Sequence, residues 1–218
     1  MQTPSSAPAS PSPGGAATRL PAPERRQRIL DAATQAFAVR GYDAASVGEI
    51  AAAAGITKPV LYDHFPSKRD LFVEIIEGAR DELVRRGAVA MAADAPLERR
   101  IRAAVEEFFA FVEAHPEAAR VLLVPPRGAP EVEAHSRRVQ RDATAALTEL
   151  LVAEPRLLAG VRDRGRRLEL WMEFIKSGMH GLAEWWAEHP EVPRTAFVDA
   201  VVDVAWSGLA AWLSPGRR

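Results

Sequence analysis

The sequence predicts an all-α protein, on three observations. Apolar residues recur three and four apart from Glu24 onward. Strand-like alternation is missing. Helix caps and proline-containing joints such as HPEA, VPPRGAP and HPEVP divide the chain at intervals of helical length. The expected architecture is an N-terminal three-helix unit containing a helix-turn-helix. A long fourth helix joins it to a C-terminal helical bundle.

Residues 1–22 precede the periodic pattern. They read MQTPSSAPASPSPGGAATRLPA, rich in Pro, Ser, Ala and Gly, with Arg19 as the one basic side chain. Such a segment cannot bury enough apolar surface to offset its ordering entropy, so a disordered tail is predicted. A role as a minor-groove arm has only Arg19 behind it.

The first helix is expected over 24–40. Ile29, Ala33, Phe37 and Arg40 lie on one face, and Gly41 follows as a C-cap. Next, Ser46-Val47-Gly48-Glu49 has the form of a capping box, the Ser46 hydroxyl taking the Glu49 amide and the Glu49 carboxylate reaching back. That opens a second helix over 47–54, stopped by Gly55. Thr57 can cap a third helix, with Pro59 in the first turn, where its missing N–H costs little. Phe65-Pro66 ends the third helix, and Ser67 caps a fourth that runs toward Met91. Further helices are expected at 96–114, 116–124, 130–153, 164–189 and 193–213.

Composition narrows the function classes. The chain has 218 residues, 48% apolar and 26% charged, enough for a proper buried core in an ordinary soluble protein. It has no cysteine, so a disulfide framework and a thiol nucleophile are both excluded. No apolar run approaches membrane-spanning length, and residues 1–22 have no signal-peptide core. A cytoplasmic location is the expectation. Net charge is −1, so nucleic-acid binding must rest on local placement of charge. Arginine outnumbers lysine 25 to 3, which reads as coding bias.

The segment GITKPVLYDHFPSKRDLF, from Gly55 to Phe72, concentrates unusual chemistry. Ile50, Ala51 and Ala54 face inward on the second helix, and Leu61 and Phe65 on the third. The outward face of the third helix then carries Lys58, Val60, Tyr62, Asp63 and His64. It offers a cation, an apolar contact for thymine methyls, and phenol and imidazole donors for phosphate. Each residue has a plainer reading too. Tyr62 could pack in the core, His64 could cap the helix locally, and Arg25, Arg26 and Arg28 could form a solvated face.

Over residues 24–76 the chain resembles the TetR-type transcriptional regulators. The resemblance is carried by the order ILDAA, Phe37, GY, Ser46, IA, AG, then LYDHFPSK and Leu71. It implies an operator-binding dimer that responds to a small molecule. By the same resemblance Ser46 meets phosphate, and Lys58 and Pro59 open the recognition helix with Thr57 before them. Val60 takes a base-contact position, Tyr62 and His64 take phosphate positions, and Lys68 meets the DNA backbone. Two departures stand out. Asp63 puts an acid toward phosphate and needs a partner such as Arg69. Gly48 leaves the second helix without a long side chain.

The second half of the chain suits an interface and a pocket. Leu168, Trp171, Ile175, Met179 and Leu182 form one stripe, and Phe197, Val201, Val204, Gly208 and Trp212 another. Two such helices need partners, and a two-fold four-helix interface through 164–213 would supply them. Gly178 and Gly181 would allow close approach, and the resemblance implies dimerisation through these helices. Phe108, Phe109 and Phe111 cannot share one narrow stripe. Taken singly, each aromatic reads as core. It is the resemblance that implies a pocket, which these rings and those of Trp171 and Phe174 would line among the fourth, fifth and eighth helices. Phe108, Phe109, Trp171 and Phe174 are the expected ligand-binding residues.

The expected domains are therefore a DNA-binding unit over 23–83, with its helix-turn-helix at 46–65, and a ligand-binding and dimerisation unit over 84–218. No catalytic motif occurs, the five histidines show no metal-ligand spacing, and no cofactor is expected. The expected partners are an operator duplex, a small-molecule effector and a second copy of the chain. A helical protein-interaction module with a vestigial helix-turn-helix stands as the alternative.

Overall fold

The computed structural model describes residues 21–213 except 156 and 160. The tail predicted over 1–22 lies outside these residues apart from Pro21 and Ala22, where the first helix is already forming. The described residues form α1 (Ala22–Ala44), α2 (Val47–Ala53), α3 (Lys58–His64), α4 (Lys68–Met91) and α5 (Leu97–Ala114). They continue as α6 (Pro116–Leu123), α7 (Pro130–Val152), α8 (Arg164–Glu188) and α9 (Arg194–Leu213), and no strand occurs among them.

Local chemistry accounts for several helix ends. Gly41 breaks α1 with φ 76° and ψ 170°, at the C-cap that the sequence predicts. Gly55, at φ 71°, ends α2, its N–H donating to Ala52 O at 3.0 Å while that of Ile56 donates to Ala51 O at 2.9 Å. This pair of bonds is a Schellman turn, and it needs a residue that enters the left-handed region without steric cost. Ser67 caps α4, its Oγ accepting from the Asp70 N–H at 3.0 Å.

Two expected caps take another form. Ser46 Oγ accepts from the Gly48 N–H at 3.2 Å, and the Glu49 carboxylate is held by Arg40 at 2.6 Å, so no reciprocal capping box forms. The ion pair with Arg40 is charge-assisted at both ends, which a bond to the Ser46 N–H would not be. Thr57 occupies the N-cap of α3 with an extended backbone, but its hydroxyl makes no capping bond.

Two cores hold the helices. The first is built on Ile29, Phe37, Ile50, Leu61, Phe65 and Leu71, all buried, and reaches into the second half through Phe111, Leu122 and Val132. The second joins α5, α8 and α9 through Phe109, Leu168, Ile175, Phe197 and Val201. α4 spans both, from Leu71 in the first to Met91 in the second. At 24 residues it is about 36 Å long. The division expected at residue 83 falls inside α4, and the first core crosses it by way of α6.

The buried face of α9 is not the expected stripe. Phe197 and Val201 are buried, but with Val198, Val202, Ala205 and Leu209, while Val204 is 58% exposed. The side chain of Trp212 lies outside the described residues. The helix is apolar almost all round, so packing against α5, not periodicity, selects the inward face.

Candidate functional site

The turn at Gly55 sets α3 across α2, with Leu61 and Phe65 buried beneath it. Arg26 fastens that arrangement from α1. Its guanidinium lies 4.8 Å from the centre of the Phe65 ring and pairs with Glu74 of α4. Arg26 is thus committed to the fold, not to a solvated face. Opposite the buried side, Thr57, Lys58, Pro59 and Asp63 are exposed, and Val60 and His64 are half-buried. Tyr62 is 47% exposed, which excludes the core-packing reading. Asp63 forms no ion pair among the described residues, with Arg69 or any other cation.

Ser46 and Lys58 converge on one point. A Cβ placed on Gly48 would lie 2.6 Å from Lys58 Cε, 3.1 Å from its Nζ and 3.5 Å from Ser46 Oγ. The lysine stem therefore crosses the start of α2, where unsatisfied N–H groups already favour an anion. The glycine that deprives α2 of reach is also what makes room for this lysine.

Lys68 behaves differently from the expectation. Its Nζ donates to the carbonyl oxygens of Tyr42 (2.7 Å), Asp43 (3.1 Å) and Ala45 (3.2 Å), and lies 4.5 Å from the centre of the Tyr42 ring. All three ammonium N–H groups are spent inside the protein. The break at Gly41 leaves these carbonyls without helical partners, and Lys68 collects them. It ties the first turn of α4 to the loop that carries Ser46.

A second site opens among α4, α5, α6, α7 and α8. It is an open cleft with a cavity volume of about 90 Å³ and with Leu83, Val84, Phe108, Leu147, Met172 and Met179 among its walls. Its polar lining includes Gln140, Lys176 and His180. The His180 ring stacks on Phe108, 6.0 Å between centres and 12° between planes. Burial, with the nearby Lys176 charge, pushes its pKa down to about 4, so the ring is neutral at neutral pH. Lys176 donates to Gln140 O at 3.1 Å and pairs with Glu173 at 3.0 Å. Burial raises the Glu173 pKa, but hydrogen bonds from Thr144 and Lys176 outweigh it and hold the carboxyl below its usual range.

Of the four expected wall residues, Phe108 lines the cleft. Phe109 is sealed in the second core, with ring centres 5.1 Å from Phe108, 5.6 Å from Phe197 and 6.1 Å from Trp186. Trp171 turns toward α9, its Nε1 3.3 Å from where a Cβ on Gly208 would stand. Phe174 points outward and is 67% exposed. The cleft-facing residues of α8 are Met172, Lys176, Met179 and His180, at the i, i+4, i+7, i+8 spacing of one helical face. A lysine set between two methionines at that spacing was the sequence signal for them. Among the described residues no group of three His, Cys, Asp or Glu side chains is placed to hold a metal.

Comparison with known proteins follows this division. Residues 29–75 match the family described as bacterial regulatory proteins, tetR family, and residues 88–214 match the tetracyclin repressor-like C-terminal domain. The chain belongs to the tetR family. This tetR-family protein is a DNA-binding transcriptional regulator with a helix-turn-helix. It is 33% identical to the transcriptional activator FasR of Mycolicibacterium smegmatis over 194 residues, 88% of this chain and 86% of FasR. Its likeness to the regulator AcrR of Shigella flexneri is 50% over 60 residues, 28% of each chain. A TetR-like regulator from Rhodococcus sp. RHA1 superposes with a TM-score of 0.70 at 30% identity, over 88% of this chain and 99% of that one. FadR from Bacillus subtilis, solved in complex with stearoyl-CoA, shares the fold at a TM-score of 0.71 and 17% identity, over 84% of this chain and 98% of its own.

Proposed function

We propose that this tetR-family regulator is a cytoplasmic dimeric repressor, released from a palindromic operator by a small apolar ligand. The outward face of α3 carries the reading: Lys58, Tyr62 and His64 form no hydrogen bond or ion pair among the described residues, while Leu61 and Phe65 anchor the helix. Ser46, Thr57, Lys58, Tyr62 and His64 bind phosphate, Pro59 and Val60 contact base edges, and Lys68 positions the Ser46 loop. Dimerisation uses the outward stripe of α8 with α9. Leu170, Phe174 and Trp185 are exposed there beside Gly178 and Gly181. The two α3 helices would then meet successive major grooves about 34–36 Å apart, or a multiple of that.

The ligand lies in the cleft beside Phe108, Met172 and Met179. FadR bound to stearoyl-CoA supports a long apolar chain as its class. Release works through α6, which contributes Leu122 to the cleft and packs on α1 and α4. The loop after it brings Gly128 so close to Asp43 that a Cβ there would lie 2.1 Å from Asp43 Oδ2. Tenfold weaker operator binding requires about 1.4 kcal/mol of preference for the released form.

The test is to sequence the genomic DNA that the purified protein retains and measure affinity for the recovered site against salt. An inverted repeat bound better than a scrambled duplex is expected. In Lys58→Ala, which removes one phosphate-binding cation from each subunit, the salt slope should flatten by roughly 0.9 per subunit. Equal affinity for both duplexes would leave the protein-interaction reading in its place. Activation is a second reading, favoured by the likeness to FasR, a transcriptional activator. A promoter-reporter strain with and without the gene separates the two by the sign of the change.

A further inference from the structure

The apolar cleft adjoins a second cavity of about 270 Å³, between the end of α6, α7 and α8. Leu122, Gln140 and Lys176 belong to the walls of both. The outer cavity has different chemistry. α7 places Ser136, Arg137, Gln140 and Arg141 along it, at the i, i+1, i+4, i+5 spacing of one helical face, and α8 adds Glu173 and Lys176. Its lining carries three cations against one carboxylate. That carboxylate is already taken: Glu173 accepts from the Thr144 hydroxyl at 2.6 Å and pairs with Lys176. Arg137 reaches Glu133 only at 3.6 Å, and Arg141 has no hydrogen bond or ion pair among the described residues.

Ser136 is the second observation that points to a ligand. It is 8% exposed and lines the cavity, yet its Oγ has no hydrogen-bond partner. A buried hydroxyl left unmatched is costly, and a ligand oxygen would match it.

We propose that the outer cavity is a headgroup site for a phosphate carried on an apolar chain that lies in the inner cleft. The proposal rests on the effector reading of that cleft. The arginine forks and the serine hydroxyl donate to phosphate oxygens, and the excess of positive charge complements a dianion better than a neutral group. Lys176 stands where headgroup and chain meet.

Calorimetric titration of the full-length protein tests this with three probes: dodecyl phosphate, dodecanol and inorganic phosphate, all below micelle-forming concentration. Dodecyl phosphate should bind at least about tenfold more tightly than dodecanol, as expected for charge-assisted bonds in a part-buried site. Arg141→Gln and Ser136→Ala should each reduce that ratio while leaving dodecanol binding and operator affinity unchanged. Equal binding of the two amphiphiles, or a ratio unmoved in both variants, would overturn the headgroup site and leave the effector reading intact. Binding of neither amphiphile by a protein that still binds its operator would overturn both. Inorganic phosphate binding as tightly as dodecyl phosphate would overturn the two-part ligand in favour of a site for the free anion.

Discussion

The side chain of Lys58 lies across the backbone of Gly48, so closely that a Cβ on residue 48 would stand 2.6 Å from Lys58 Cε. One residue at the start of α2 thus determines where the first cation of α3 can rest. Gly48→Ala should swing Lys58 away from Ser46 while leaving the first core intact. Operator affinity should fall about fivefold, near 1 kcal/mol, with a salt slope flatter by roughly 0.9 per subunit. Fluorescence anisotropy across a salt series measures both. Unchanged affinity and slope would show that Lys58 does not bind DNA from this position.

Lys68 should act on stability before it acts on DNA. Lys68→Met keeps the stem but removes three hydrogen bonds to the carbonyls of the loop after α1. A loss of about 1.5–3 kcal/mol is expected, the range for bonds that involve a charged group. Chemical denaturation reads it. A variant as stable as the parent, but with a flatter salt slope, would return Lys68 to the DNA backbone.

The stacked pair of His180 and Phe108 makes an acid-sensitive point in the cleft. The folded pKa of His180, about 4, lies below the ordinary 6.5. The folded state therefore prefers the neutral ring. Its contribution is full above pH 6.5 and is lost as pH falls toward 4, by up to about 3 kcal/mol. His180→Leu should flatten the stability profile between pH 6.5 and 4. An unaltered profile would place the acid-sensitive group elsewhere.

Phe174, 67% exposed on the outward stripe of α8, is a probe of the interface. Phe174→Arg should convert a dimer into a monomer in sedimentation equilibrium, and operator affinity should collapse with it. The fold of each protomer should survive, since the side chain packs in neither core. A dimer that tolerates the arginine would move the interface off this face.

Helix positions and the helix-turn-helix were legible in the sequence because their causes are local. Gly41 and Gly55 stop helices by their own backbone freedom, Ser67 caps by its own hydroxyl, and Leu61 and Phe65 are four apart whatever surrounds them. Choices among equivalent partners or faces were not legible. Glu49 could have closed a capping box, but Arg40, nine residues away in the chain, takes its carboxylate. Lys68 could have faced phosphate, but carbonyls 23 to 26 residues earlier take its three protons.

The cleft shows the same limit on α8, where Trp171, Met172 and Phe174 are all apolar and lie within a single turn. Composition identifies such a helix as a packing element and leaves its rotation open. Packing against α9 on one side and α7 on the other turns Trp171 toward Gly208, Met172 into the cleft and Phe174 to the surface. The sequence by itself determined the all-α class, the order of the helices and the outward face of α3, because cap chemistry and apolar spacing act within a few residues. Only the tertiary structure decided which aromatics line the cleft, which lysine is spent on the fold and which apolar face stays exposed. Those outcomes depend on atoms far apart in the chain competing for the same surface.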